Sequence, residues 1–390
     1  MKNKPLDPQD DPECRACPDL PWVMDSPTRI SGSIGIDNHP GQSHDPRKVG
    51  LPIDCQSSVN IQSLPILTSG HQERNLNRFF RFLATPVPWQ YLYRRIFHNH
   101  PSIYPRESWA ITTATTENFD PFTFRPEEMT QIPSSPGVTR ADPFLWSRDG
   151  THYLFMEDWP AGDPCAHISA MELDDHGKQR GSPVPIISSK THFSYPYVFE
   201  YDGQLWMLPE YSSSNRLQLF RCVEFPHHWV ADRILMEGTS YADPTVFEHD
   251  GVWWMFISLK TGFCGLTSNL FLFHADNPIS SEWIPHPMNP VVSGFHQSRP
   301  AGRPFVANGR LFRPAQNCLK RYGHFVVFNE ITRLDVHRYA ERSVRKIMPW
   351  AEHILAVHHF DICGNRAAMD IQLRNPADSA ADATEETNMV

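Results

Sequence analysis

The chain carries no run of about 18 apolar residues, the length a membrane-crossing helix needs. It has no GxxxxGKS/T, no GxGxxG and no GxSxG, which argues against a P-loop nucleotide hydrolase, a Rossmann enzyme and an α/β-hydrolase. No His/Cys cluster has zinc-ligand spacing, so neither a metal nor another cofactor is expected. A basic excess is also missing: 35 Lys and Arg face 44 Asp and Glu, a formal charge of -9, which speaks against a nucleic-acid partner. The opening MKNKPLDPQDDPECRACPDL lacks the apolar stretch of a secretory signal. Eight cysteines are too dispersed for a disulfide framework, and only Cys14 and Cys17 form a CxxC, in a polar, proline-rich stretch. Reduced thiols and a cytoplasmic location are the expectation.

Proline is in excess. There are 36 in 390 residues, nearly twice the usual share of about 5%. That density favours many turns and short strands over long helices. Residues 1–72 hold ten of these prolines among Asp, Ser and Gly, with no periodicity, and read as a disordered arm. Residues 73–100 interleave Arg74, Arg78, Arg81, Arg94 and Arg95 with Phe79, Phe80, Phe82, Trp89 and Tyr91. They read as a short helical lead-in broken at Pro86 and Pro88; a basic, aromatic helix of this kind can touch a membrane surface peripherally. Residues 375–390 read as a disordered acidic tail.

The body, residues 101–374, repeats itself. DPFLWSRDGTHYLF from Asp142, YPYVFEYDGQLWML from Tyr195, DPTVFEHDGVWWMF from Asp243 and RPFVANGRLFRP from Arg303 share one plan. A proline precedes an apolar strand, then comes a DG or NG turn, then an apolar-aromatic strand. Asp-Gly and Asn-Gly favour type I′ turns, which match the twist of a hairpin. Prolines 143, 196, 244 and 304 recur at a period near fifty residues, which indicates a β-propeller. HILAVHHFDICGNRAAMDIQL from His353 supplies a fifth, degenerate hairpin, and Trp109 to Thr113 a strand to close the ring. The predicted fold class is all-β, a five-bladed β-propeller with a disordered N-terminal arm and a short helical lead-in.

If each hairpin supplies two inner strands of a blade, its first and last residues share one rim around the central channel. The starts are Asp142, Tyr195, Asp243 and Arg303; the ends are Glu157, Glu210, Ser258 and Gln316. Carboxylates gathered beside apolar strands suit general acid/base work at a glycosidic bond. Asp142, Glu210 and Asp243 are the catalytic candidates. Glu157, His192, Tyr195, Ser258, Arg299, Arg303 and Gln316 are candidates for substrate binding. The turn aspartates Asp149, Asp202 and Asp250 are read as turn formers. Trp206, Trp253 and Trp254 are read as blade packing, although a rim aromatic can stack on a sugar face.

TRADPFLWSRDGTHYLFMEDW, HFSYPYVFEYDGQLWMLPEYS, RCVEFPHHWVADRILMEG, SRPAGRPF and RPAQNCLKRYG together resemble the glycosidase-like N-terminal domain of plant glucosamine inositolphosphorylceramide transferases, and still more its stand-alone bacterial relatives. The resemblance runs from Trp109 to Asp370. The wider group is similar to the five-bladed propellers of glycoside hydrolase families 32, 43, 62 and 68. That likeness implies that Asp142 is the catalytic base or nucleophile and that Asp243 orients substrate and tunes the acid. Where family 43 carries its acid, opening the fourth blade, this chain reads Pro300-Ala301-Gly302-Arg303, without a carboxylate. Glu210 can stand in, or the site binds glycans without cleaving them. Arginine in that segment suits a phosphate or an anionic sugar. Three readings follow: a carbohydrate-active enzyme of glycan or glycolipid metabolism, a non-catalytic glycan-binding module of glycoconjugate assembly, and a protein-interaction scaffold.

Overall fold

A computed structural model describes residues 59–60, 108–134, 137–211, 214–261 and 265–374. The predicted helical lead-in, the acidic tail, Cys14 and Cys17 lie outside the described residues, as does the arm save for Val59–Asn60. The described chain is all-β, with one single-turn 3-10 helix at Pro126–Glu128. No helix in it is long and apolar enough to cross a membrane.

Five sheets form the blades, antiparallel throughout except where Val59–Asn60 adds in parallel to the outer strand of blade two, His228–Glu237. Blade one is Thr139–Arg148, Thr151–Trp159, His167–Leu173 and Gln179–Ile187. Blade two is Ser194–Tyr201, Gln204–Glu210, Arg216–Glu224 and His228–Glu237, and blade three opens with Tyr241–His249 and Val252–Leu259, followed by Asn269–Ala275. In blade four, Arg299–Pro300 and Phe305–Ala307 share the first position, before Arg310–Asn317, Phe325–Leu334 and Tyr339–Ile347. Blade five joins Ile354–Ala356, Phe360–Cys363 and Arg366–Leu373 to Ser108–Thr115, from the other end of the chain. Eight residue pairs, from Ser108 opposite Leu373 to Thr115 opposite Arg366, close the ring.

The turn chemistry explains the hairpins. Asp149-Gly150, Asp202-Gly203, Asp250-Gly251 and Asn308-Gly309 all have positive φ at both residues, between 50° and 77°, as a type I′ turn demands. A Cβ at Gly203 would meet nothing within 4 Å, so only the backbone constrains it. Gly203→Ala is expected to cost about 1–2 kcal/mol through left-handed strain alone, read as a lower denaturant midpoint with an unchanged slope.

The prolines set the inner ends of the blades. Pro143, Pro196 and Pro244 each sit at a register shift in the first strand, because proline has no N–H for the ladder. The preceding residues, Asp142, Tyr195 and Asp243, take φ of 51°, 49° and 52°. Left-handed geometry in non-glycine residues stores strain. Here their freed N–H groups are claimed by carboxylates: Asp370 accepts from Asp142 (3.0 Å), Asp142 from Tyr195 (3.1 Å), and Glu210 from Asp243 (3.3 Å).

Packing fills the centre. Phe144, Tyr195 and His359, all fully buried, meet edge to face. The Tyr195 hydroxyl lies 2.7 Å from Thr245 Oγ1 and accepts from Gly302 N at 3.0 Å, tying blades two, three and four. The rim therefore surrounds a cup with a solid floor. Trp206 and Trp254 are buried in the blades, and Trp253 packs edge-on to Tyr201.

Candidate functional site

Two charged clusters and one His–Glu pair share the rim. The first cluster joins blades two, three and four. Arg299 donates from Nε to Asp243 Oδ2 (2.6 Å) and from Nη2 to both Asp243 Oδ1 (3.2 Å) and Glu210 Oε2 (3.1 Å). Gln316, opposite Arg299 in the ladder, donates to Asp243 Oδ2 at 3.2 Å. Burial and the neighbouring Asp243 push the Glu210 carboxyl up to about 8, against the pull of Arg299. Glu210 therefore keeps its proton at neutral pH, while Asp243 is bound as an ion pair.

The second cluster joins blades five and one. Asp370 accepts from the backbone N of Asp142, His358 and His359, and its Oδ2 lies 2.6 Å from His358 Nδ1. His358 Nε2 and His359 Nδ1 each lie 3.6 Å from Asp142 Oδ1. Burial would discharge His358, but Asp370 outweighs it and raises the imidazole to about 9, so it is cationic at neutral pH. For His359 burial outweighs the pull of Asp370, lowering the imidazole to about 3, so it stays neutral. Burial, reinforced by Glu157, Asp243 and Asp370, raises the Asp142 carboxyl well above the usual carboxylate range, with His358 opposing. Ligand atoms of Asp142, His358 and Asp370 lie within 4.8 Å of one another, a spacing that also admits a small cation.

Glu157 and His192 form the third group, Nε2 to Oε1 at 3.1 Å. Burial would lower His192, but the Glu157 carboxylate raises it.

The structure thus brings Asp142, Glu210, Asp243, Arg299 and Gln316 into the rim clusters, with Glu157 and His192 paired beside them. Tyr195 contributes its backbone N–H, while its side chain goes to the floor. Ser258 is fully buried opposite Ala242, its hydroxyl without a partner. Arg303 does not join the rim clusters: it donates to Asp361 Oδ1 (3.1 Å) and the Val198 carbonyl (3.0 Å) and lies over the Tyr197 ring. The position opening blade four holds Arg299 where a carboxylate is absent. Sequence reasoning missed His358, His359 and Asp370, in the hairpin that lacks the Pro and DG signals. It also missed Tyr322, whose ring lies 5.1 Å from the Arg299 guanidinium.

Chemically, a buried carboxyl that holds its proton near neutrality can donate one, and a carboxylate of raised basicity facing an imidazolium can accept one.

The family described as "Glucosamine inositolphosphorylceramide transferase 1, N-terminal" matches residues 122–355. Glucosamine inositolphosphorylceramide transferase 1 of Arabidopsis thaliana is 29% identical over 280 residues, covering 69% of this chain and 34% of the relative. The protein of the same name from Oryza sativa subsp. japonica is 30% identical over 206 residues, covering 52% and 28%. The chain thus spans about a third of the length of these relatives. Among solved structures, a family 117 glycoside hydrolase from Zobellia galactanivorans superimposes with a TM-score of 0.43 at 12% identity, covering 69% of this chain and 93% of that one.

Proposed function

The chain belongs to the glucosamine inositolphosphorylceramide transferase 1 N-terminal family, and from that premise we propose that it is a carbohydrate-active enzyme working on a glycosidic linkage, by hydrolysis or glycosyl transfer, in glycan or glycolipid metabolism. The observation that carries this reading is the division of labour between two rim carboxyls: Glu210, raised to about 8 beside Asp243, and Asp142, facing the His358 imidazolium. Glu210 protonates the departing glycosidic oxygen. Asp142, in the ionised form that the His358 imidazolium favours, takes a proton from the incoming water or acceptor hydroxyl. Asp243, clamped by Arg299, holds negative charge beside Glu210 and keeps its proton in place.

The test is turnover by the full chain on aryl pentosides, aryl hexosides, glycosyl phosphates and nucleotide sugars, beside Asp142→Asn. Turnover is expected to vanish in that variant; undiminished turnover would reject the assignment. Activity is further expected to fall as pH rises through about 8, because Glu210 then loses the proton it must donate. Glu210→Gln should abolish turnover at every pH, and an unchanged alkaline limb in that variant would remove Glu210 from the role.

A second reading is favoured by one observation. Arg299 occupies Asp243 and Glu210 together, in a rim with no carboxylate at the opening of blade four. A non-catalytic glycan-binding module would show glycan binding, lost in Asp142→Asn, with no turnover on any of these substrates.

A further inference from the structure

Tyr322 lies in the rim-side connection between Arg310–Asn317 and Phe325–Leu334 of blade four. That connection is fixed at several points. His324 N donates to Asn317 O (2.9 Å), Val357 N to Gly323 O (3.1 Å), and Arg321 Nη1 to Leu355 O (3.4 Å) and Gln372 Oε1 (3.3 Å). Gly323, at φ 57°, presses so closely on blade five that a Cβ there would lie 2.3 Å from His358 Cβ. The backbone on either side of Tyr322 is therefore set before any ligand arrives.

The ring itself spans the two charged clusters. The Arg299 guanidinium lies 5.1 Å from its centroid, and the His358 ring meets it at 5.4 Å, edge-on at 66°. Both cations are otherwise engaged with site carboxylates. Among described residues, the aromatic side chains touching charged groups of the two clusters or the His–Glu pair include Trp109, Trp159 and Tyr322. Trp109 is buried against His358, and Trp159 is half-buried with its indole N–H donated to Asp163 O. Tyr322 is 38% exposed. A single exposed aromatic ordinarily needs no explanation; one pinned by its backbone beside both clusters of a buried polar cup has the form of a platform.

A pyranose offers hydroxyls at its edge and a face of C–H groups. The rim carboxylates take the hydroxyls as charge-assisted hydrogen bonds, and the face needs a flat apolar partner that costs little entropy to order. We propose that Tyr322 is that partner, stacking on the sugar ring that sits over the cup. The proposal rests on the reading of the cup as a glycan site.

The test uses the full chain with methyl β-glucopyranoside, methyl β-galactopyranoside and methyl α-mannopyranoside as probes, followed by calorimetry and proton NMR. At least one probe is expected to bind, with its ring C–H protons shifted upfield by the aromatic current. Tyr322→Ala should weaken that binding about tenfold or more and remove the shift, while Tyr322→Phe keeps both to within about threefold. Phe122→Ala, at an exposed aromatic on Arg310 and Phe312, should change neither. Wild type binding none of the probes, Tyr322→Ala binding as tightly as wild type, or Tyr322→Phe falling with Tyr322→Ala would each overturn the proposal. Turnover lost in Asp142→Asn alongside unaffected Tyr322→Ala binding would overturn the platform and leave the enzyme. Tyr322-dependent binding without turnover anywhere would do the reverse.

Discussion

Arg299→Met should destabilise the protein by about 3–5 kcal/mol, the usual cost of removing one partner from a buried ion pair. The guanidinium is nine-tenths buried and contacts two carboxyls, so its loss leaves Asp243 and Glu210 facing each other without a counter-charge. Methionine replaces much of the stem volume but none of the five donors. The expected result is a large fall in the denaturant midpoint at neutral pH. Adding Asp243→Asn should restore part of it, because the buried charge is then gone. A double variant no more stable than Arg299→Met alone would contradict this account of the cluster.

Gly302→Ala is expected to be at least as damaging, for a steric reason. A Cβ at this position would lie 1.8 Å from the Phe360 carbonyl oxygen and 2.9 Å from its carbon, both backbone atoms, at a φ of 125° that side chains rarely adopt. Blades four and five approach here main chain to main chain, joined by Phe360 N donating to Ala301 O at 2.8 Å. Alanine must push the blades apart and misplace the Gly302 N–H that caps the Tyr195 hydroxyl. A loss of more than about 4 kcal/mol belongs to this class of backbone and overpacking changes. Soluble yield and thermal melting measure it, with Gly309→Ala, in open space, as the mild comparison. Similar melting of the two variants would mean that the blades can separate cheaply.

Gly302 also shows where sequence reasoning succeeds and where it stops. The proline and Asp-Gly or Asn-Gly pattern marks four of the five blades, since both signals act through local backbone chemistry, and the fifth is legible only as a hairpin that lacks them. The rim followed for three repeats because the residue before each proline takes the left-handed position. In the fourth repeat that position falls to Gly302, and the residue before Pro304 is one step further on. A one-residue displacement sends a strand side chain to the opposite face, and Arg303 accordingly reaches Asp361 rather than the Asp243 cluster. Asp370, His358 and Tyr322 were hidden for another reason. They stand on the closing blade and on a connection, where neither proline nor DG turn marks a register, and only the meeting of distant strands brings them to Asp142 and Arg299.

The ladder between Ser108–Thr115 and Arg366–Leu373 has a kinetic meaning. It joins residues some 250 positions apart, and it cannot form until Leu373 has been synthesised. The four other blades can pair their strands locally as the chain emerges, whereas the fifth waits for the strand Arg366–Leu373. Asp370 lies on the last strand to arrive, and it holds the Asp142 backbone and His358. The Asp142 cluster therefore cannot be complete before Asp370 has emerged, and a nascent chain stalled earlier carries blades without a completed site.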